Sequence, residues 1–200
     1  MDENQLVRAH LRASAEVKEK TAEACAADVV RAAETIAESI AAGGKILLCG
    51  NGGSAADCQH MAAEFVSRLT SDFARPGIPA VALTTDTSFL TAFTNDIGFE
   101  DVFARQVETL GRAKDVLIGI STSGRSANVI RAIGSARARG MKVVVLMGSE
   151  GPMADLADVA ICVPSRSTQH VQESHLAIEH VVCRIVELRL YSKVESDYTS

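Results

Sequence analysis

The sequence predicts an α/β fold, with a parallel sheet of five strands covered by helices on both faces and a helical region ahead of it. Three observations predict it. Five short, continuously apolar runs alternate with helix-like segments, the pattern of strands buried on both faces. The first three runs end in turns rich in glycine or hydroxyl residues. Residues 3–42 contain no proline or glycine, and their Ala, Glu, Lys and Arg content favours helix throughout.

The N-terminal region reads as two helices with a break near residues 20–23. Leu6, Ala9, Ala13 and Val17, then Cys25, Val29, Ala32, Ile36 and Ile40, recur at spacings of three and four. Because these helices precede the first strand, their apolar stripes are free to pack on another subunit, and a homo-oligomer is expected. The first strand is 45–49 (KILLC). It breaks at Gly50-Asn51-Gly52-Gly53, and a helical pattern follows from Ser54, which stands where a helix cap is expected.

Residues 79–83 (PAVAL) form the second strand, leading into Thr84-Thr85-Asp86-Thr87-Ser88. A helical region, 88–110, is interrupted around 95–98. The third strand, 116–120 (VLIGI), is followed by Ser121-Thr122-Ser123-Gly124-Arg125-Ser126 and a helix over 127–139 that Gly140 closes. Strands at 143–147 and 159–163 flank a short helix around 153–157, and a long apolar helix, 168–191, ends the pattern.

Composition narrows the function. The 200 residues suggest a single domain, with 1–42 as N-terminal helices and 43–200 as the α/β core. With 47% apolar and 22% charged residues the chain is ordinary for a soluble globular protein. Its 20 basic and 25 acidic residues give a net charge of −5, which offers no basic footprint for nucleic acid and favours a small-molecule or protein partner. Cys25, Cys49, Cys58, Cys162 and Cys183 form no CxxC pair and read as reduced core residues. No signal-peptide layout opens the chain and no apolar run approaches the roughly 18 residues of a membrane span, so a cytoplasmic protein is expected.

Ligands of parallel sheets bind beyond the carboxyl ends of the strands. Here three successive strand ends offer glycine backbone and hydroxyl donors, and the helix after Gly53 presents a partially positive N-terminus. Together they suit a phosphorylated polyol or sugar. His60 and Glu64, four residues apart on that same helix, share a face and form an acid-base or metal pair. The last helix adds Gln172, Glu173, His175, Glu179 and His180. Gln172 and His180 lie near one face, with His175 about 60° to the other side of Gln172, and spacing alone does not choose between the two histidines.

The segments GNGGSAADxQHxAxEF, Asn95-Asp96, STSGxSxN and QExHxxxxH together resemble the bacterial phosphoheptose isomerases, sugar isomerase (SIS) domain proteins acting on sedoheptulose 7-phosphate. The resemblance implies a Rossmann-like SIS domain with a five-stranded sheet, and a homotetramer with active sites at subunit interfaces. It implies that Ser121, Thr122, Ser123 and Ser126 hold the phosphate, that Asn51, Gly52, Gly53 and Ser54 close the site, and that Asn95 and Asp96 meet the sugar hydroxyls. Glu64 matches the general base and His180 the general acid, while His60, Glu64, Gln172 and His180 match the ligands of a zinc ion. The resemblance thus selects His180 over His175. Two departures stand out: His170 occupies a position where relatives usually carry Lys or Arg, and Gly151-Pro152 replaces a Gly-Gly.

The assigned chemistry is coherent. Moving a carbonyl from C2 to C1 requires a base at C1, stabilisation of an enediolate and a proton returned to C2. Zinc is able to polarise the carbonyl, although glutamine is not among its usual ligands and a glutamate held tightly on a metal is a poor free base. Some SIS proteins resembling this family instead bind a replication initiator protein and lack the catalytic carboxylate and histidine; this chain retains Glu64 and His180. A dinucleotide site, suggested by Gly50-x-Gly52-x-x-Ala55, fits less well. Its acid is expected about 20 residues on, whereas Asp86 lies 36 residues beyond Gly50.

Overall fold

The computed structural model describes residues 2–191. Helix α1, Glu3–Ala41, is one continuous helix of 39 residues, not the expected two. Nothing at residues 20–23 breaks the ladder: Thr21 is buried, and its hydroxyl donates to the Val17 carbonyl one turn back at 2.7 Å, a bond compatible with helix. The chain then runs through β1 (Ile46–Gly50), α2 (Gly53–Val66), β2 (Ala80–Ala82), α3 (Thr87–Asp96), α4 (Val102–Leu110), β3 (Val116–Ser121), α5 (Ala127–Ala138), β4 (Lys142–Met147), β5 (Val159–Cys162) and α6 (Thr168–Tyr191). Single 3-10 turns occupy Phe99–Asp101 and Ala154–Leu156, the second in place of the expected short helix.

All strand pairs are parallel, in the order β2-β1-β3-β4-β5. Alternate residues face opposite sides, so each strand feeds two cores. Ile46, Leu48, Ile118, Ile120, Val144 and Leu146 pack with α1, α2 and α6 through Ile36, Met61, Phe65 and Val182. Leu47, Cys49, Leu117, Val143 and Val145 pack with α3, α4 and α5 through Phe93, Phe103, Val107 and Ile133. The result is three layers, helix on sheet on helix.

From β1 the chain moves to β2 on one side and then returns to β3 on the other. The direction of winding therefore switches between β1 and β3, where open parallel sheets leave a crevice at the strand ends. Gly50 pairs with Ile120, so the two strands finish level and deliver the Asn51 and Ser121 loops side by side. Turn chemistry follows the local sequence: Gly140, with φ +72°, ends α5 in the left-handed conformation that glycine favours. All five cysteines are free thiols, four of them buried and Cys162 half-buried.

Candidate active site

The crevice is built from two helix N-termini. Helix α2 starts at Gly53, and its cap is Gly52 at φ +57° with no side-chain hydrogen bond. Ser54 is therefore not the cap; it is buried in the first turn. Gly50 has no room for a side chain, since a Cβ there would lie 2.8 Å from the Ser54 carbonyl. Helix α5 likewise begins without a side-chain cap, because the Ser126 hydroxyl is engaged at 2.9 Å with that of Ser121. Both helices consequently present free N-H groups and positive dipole ends.

The two loops are locked together. Asn51 and Asn128 exchange reciprocal amide hydrogen bonds of 2.8 and 2.9 Å, and the Asn128 oxygen also accepts from the Val129 N-H. Asn128 is buried and belongs to the STSGxSxN segment, yet its role as the strut between the two loops has no signature in local sequence. Ser123 lies 3.4 Å from Ser121 and accepts from the Arg125 N-H, while Gly124 turns the loop at φ +62°. A cleft of about 210 Å³ opens here, lined by Thr122, Ser123, Arg125, Ser149, Ser165 and the ion pair of Arg166 with Glu150. The Thr122, Ser123, Ser149 and Ser165 hydroxyls and the Arg125 guanidinium are groups able to donate to an anion, while Arg166 is engaged with Glu150.

Helices α2 and α6 bring the titratable groups together. His60 Nε2 lies 2.9 Å from His180 Nε2, although 120 residues separate them, and 3.8 Å from Glu64 Oε1. The second Glu64 oxygen is buried without a partner. Gln172 sits against Gly53, where a Cβ would come within 1.8 Å of its amide nitrogen, and it donates to Asp57 one turn before His60. His175, the alternative histidine, is fully buried with neither ring nitrogen paired, and burial pulls its pKa down to about 4. Asn95 bonds only to its neighbour Asp96, at 2.8 Å, and both are exposed on α3; among the described residues neither is hydrogen-bonded to the rest of this constellation.

His60 bridges this group, with His180 on one side and Glu64 on the other, and imidazole and carboxylate are donor types that suit a divalent ion, but the three ligand atoms do not all fall within 4.8 Å of one another. Tetrahedral bonds of about 2.0–2.1 Å place neighbouring ligand atoms roughly 3.3 Å apart, close to the 2.9 and 3.8 Å found here. A second group with metal-ligating side chains, His10, His170 and Glu173, lies between α1 and α6.

Glu179, named in the sequence as one of the polar residues of the last helix, is buried behind this face beside Asp57. Burial pushes the Glu179 carboxyl up to about 8, reinforced by Asp57, and neither of its oxygens has a partner. Unfolded, this acid ionises near 4.5; folded, it holds its proton to about pH 8. Between these values the unfolded chain binds fewer protons, so stability falls as pH rises. Glu179→Gln is expected to stabilise the protein little near pH 4.5 and most above pH 8, by at most about 5 kcal/mol at roughly 1.4 kcal/mol per pKa unit. Thermal melts of both proteins across that range check the sign.

The SIS domain model matches residues 9–148. The chain is 55% identical over 184 residues to the phosphoheptose isomerase of Roseiflexus sp. (strain RS-1), covering 92% of each, and 54% identical to that of Burkholderia pseudomallei (strain 1710b), covering 84% of each. The structure of phosphoheptose isomerase GmhA from Neisseria gonorrhoeae superposes with a TM-score of 0.87 at 44% identity, over 92% of this chain and 98% of that one. A phosphoheptose isomerase from Francisella tularensis gives 0.89 at 34% identity, over 94% and 99%. The chain belongs to the SIS domain family and, within it, to the phosphoheptose isomerases, which are aldose-ketose isomerases.

Proposed function

We propose that this enzyme converts sedoheptulose 7-phosphate to D-glycero-D-manno-heptose 7-phosphate, the first step of nucleotide-activated heptose biosynthesis. The observation that carries the reading is the approach of His60 on α2 to both Glu64 and His180 beside the β1–β3 crevice. Ser121, Thr122, Ser123 and Ser126 receive the phosphate with the free N-H groups of α5, and Asn51, Gly52, Gly53 and Ser54 close over the substrate from α2. Asn95 and Asp96 bind sugar hydroxyls. Their distance from hydrogen-bonding contact with the other site residues is consistent with a site completed across a subunit boundary.

Anchoring the phosphate places C1 and C2 near α2. Glu64 takes the C1 proton through its unpaired, buried oxygen, where no hydrogen bond competes for its lone pairs. His180 serves as acid toward the developing oxygen, and its approach to His60 fixes its ring against the site. His60, Glu64, Gln172 and His180 would hold a zinc ion, which when bound supplies Lewis-acid polarisation of the substrate carbonyl.

A homotetramer fits the surface. A groove of about 330 Å³ between α1 and α6 is lined by Ala22, Ala26, Val30, Ala177, Val181 and neighbouring apolar groups, and Leu6, Val7 and Leu11 stand exposed on α1. No helix among the described residues is long and apolar enough to cross a membrane, and a cytoplasmic location is part of the same proposal. The test is direct. Proton NMR of sedoheptulose 7-phosphate incubated with the enzyme is expected to show an aldose anomeric signal that chelator abolishes and zinc restores; a substrate left unchanged by the zinc-loaded enzyme would overturn the assignment.

A further inference from the structure

We propose that His10, His170 and Glu173 form a second divalent-metal site, distinct from the His60 and His180 constellation, that clasps the start of α1 to the start of α6. The three side chains place one ligand atom each within 4.8 Å of one another. His170 and Glu173, three residues apart on α6, share a face, and His10 meets them from α1. Its Nε2 lies 2.9 Å from Glu173 Oε1, and its ring centroid is 4.9 Å from that of His170.

A His10–Glu173 hydrogen bond alone leaves this cluster incomplete. His170 Nε2 is buried without a hydrogen-bond partner, and Glu173 Oε2 makes no short hydrogen bond, with Ser14 beside the carboxylate and Lys18 Nζ 4.0 Å away. Buried polar atoms are ordinarily satisfied, and leaving them unpaired costs free energy. One ion accepts lone pairs from both imidazoles and the carboxylate at once. Two nitrogens and one oxygen suit zinc or a similar transition ion, with an open position for water. The route in is short, because the side chains of His10 and Glu173 are 38% and 37% exposed. The clasp closes a loop spanning nearly the whole chain and lands one residue from Gln172, whose side chain packs on Gly53.

Zinc content by elemental analysis tests the site in full-length protein that has been stripped with chelator, reloaded with zinc and dialysed. Four proteins separate the two centres: native, His60→Ala/His180→Ala, His10→Ala/Glu173→Gln and the combination. The His60→Ala/His180→Ala protein is expected to keep one equivalent per chain, the combination none, and native to hold one equivalent more than His10→Ala/Glu173→Gln. Cobalt loaded into His60→Ala/His180→Ala should give a visible ligand-field band that is lost in the combination. If His10→Ala/Glu173→Gln fails to fold, His170→Gln must lose the same equivalent. Folded His60→Ala/His180→Ala protein that binds no zinc, or an undiminished content in His10→Ala/Glu173→Gln, overturns the second site. Failure of the catalytic assignment looks different, with His60→Ala/His180→Ala retaining all the zinc that native protein holds.

Discussion

Glu64→Gln is expected to lower kcat about 10²- to 10⁴-fold, the usual worth of general-base assistance. The amide keeps the shape of the carboxylate and fits the same partly buried place on α2, but it cannot accept a carbon-bound proton. KM should move little, because the phosphate and hydroxyl contacts assigned to Ser121, Ser123, Ser126, Asn95 and Asp96 remain. Zinc content must be measured alongside, since Glu64 is also placed among the metal ligands. A mutant that retains zinc and turns over at near-native rates would remove Glu64 as the base.

Arg75→Ala is expected to destabilise the protein by about 3–5 kcal/mol, the range for stripping one partner from a buried ion pair. Arg75 and Glu187 are both fully buried, 2.8 Å apart. The same guanidinium donates at 2.7 Å to the carbonyls of Glu64 and Phe65, which the end of α2 leaves without helical partners. Its loss strands a carboxylate inside α6 and uncaps the helix that carries His60 and Glu64. For a chain of this size the melting temperature should fall by roughly 6–20 °C. Arg75→Met/Glu187→Met should recover at least about half of the loss, because no unpaired charge then stays buried. A single mutant that melts with the native protein would show that the ion pair carries no such weight.

The parts of the fold that were legible in sequence are those whose cause is local. Helix α6 begins where its apolar pattern does, and the glycine and hydroxyl turns at Gly50 and Ser121 announce the ends of β1 and β3. The break expected within α1 failed because polar residues such as Lys20 and Thr21 were read as an interruption, whereas Thr21 satisfies its own hydroxyl within the helix. Ser54 failed as a cap because Gly52, free to adopt positive φ, starts the helix two residues earlier.

The site divides along the same line. His60 and Glu64 were legible as a pair from their spacing, and the glycine and hydroxyl loops at the strand ends from their composition. Which histidine of α6 faces them was not, since His175 and His180 differ only in how α6 is rotated against α2 and the sheet; the family resemblance pointed to His180, and the structure sets that ring against His60. The pairings of Asn51 with Asn128 and of Arg75 with Glu187 left no trace in sequence, and Glu179, though named among the polar residues of α6, carried no mark of its full burial. Each depends on contacts between segments far apart in the chain, and a lone polar residue in an apolar helix carries no mark of its partner.

The central claim is that Glu64 moves a proton at C1 of a ketose phosphate. Solvent-deuterium incorporation measures that transfer directly. With sedoheptulose 7-phosphate in deuterium oxide, the native zinc-loaded enzyme should exchange one C1 hydrogen, read by NMR as loss of its signal, while Glu64→Gln of equal zinc content shows exchange lowered by about 10²-fold or more. Exchange at C1 by Glu64→Gln at the native rate would contradict the account.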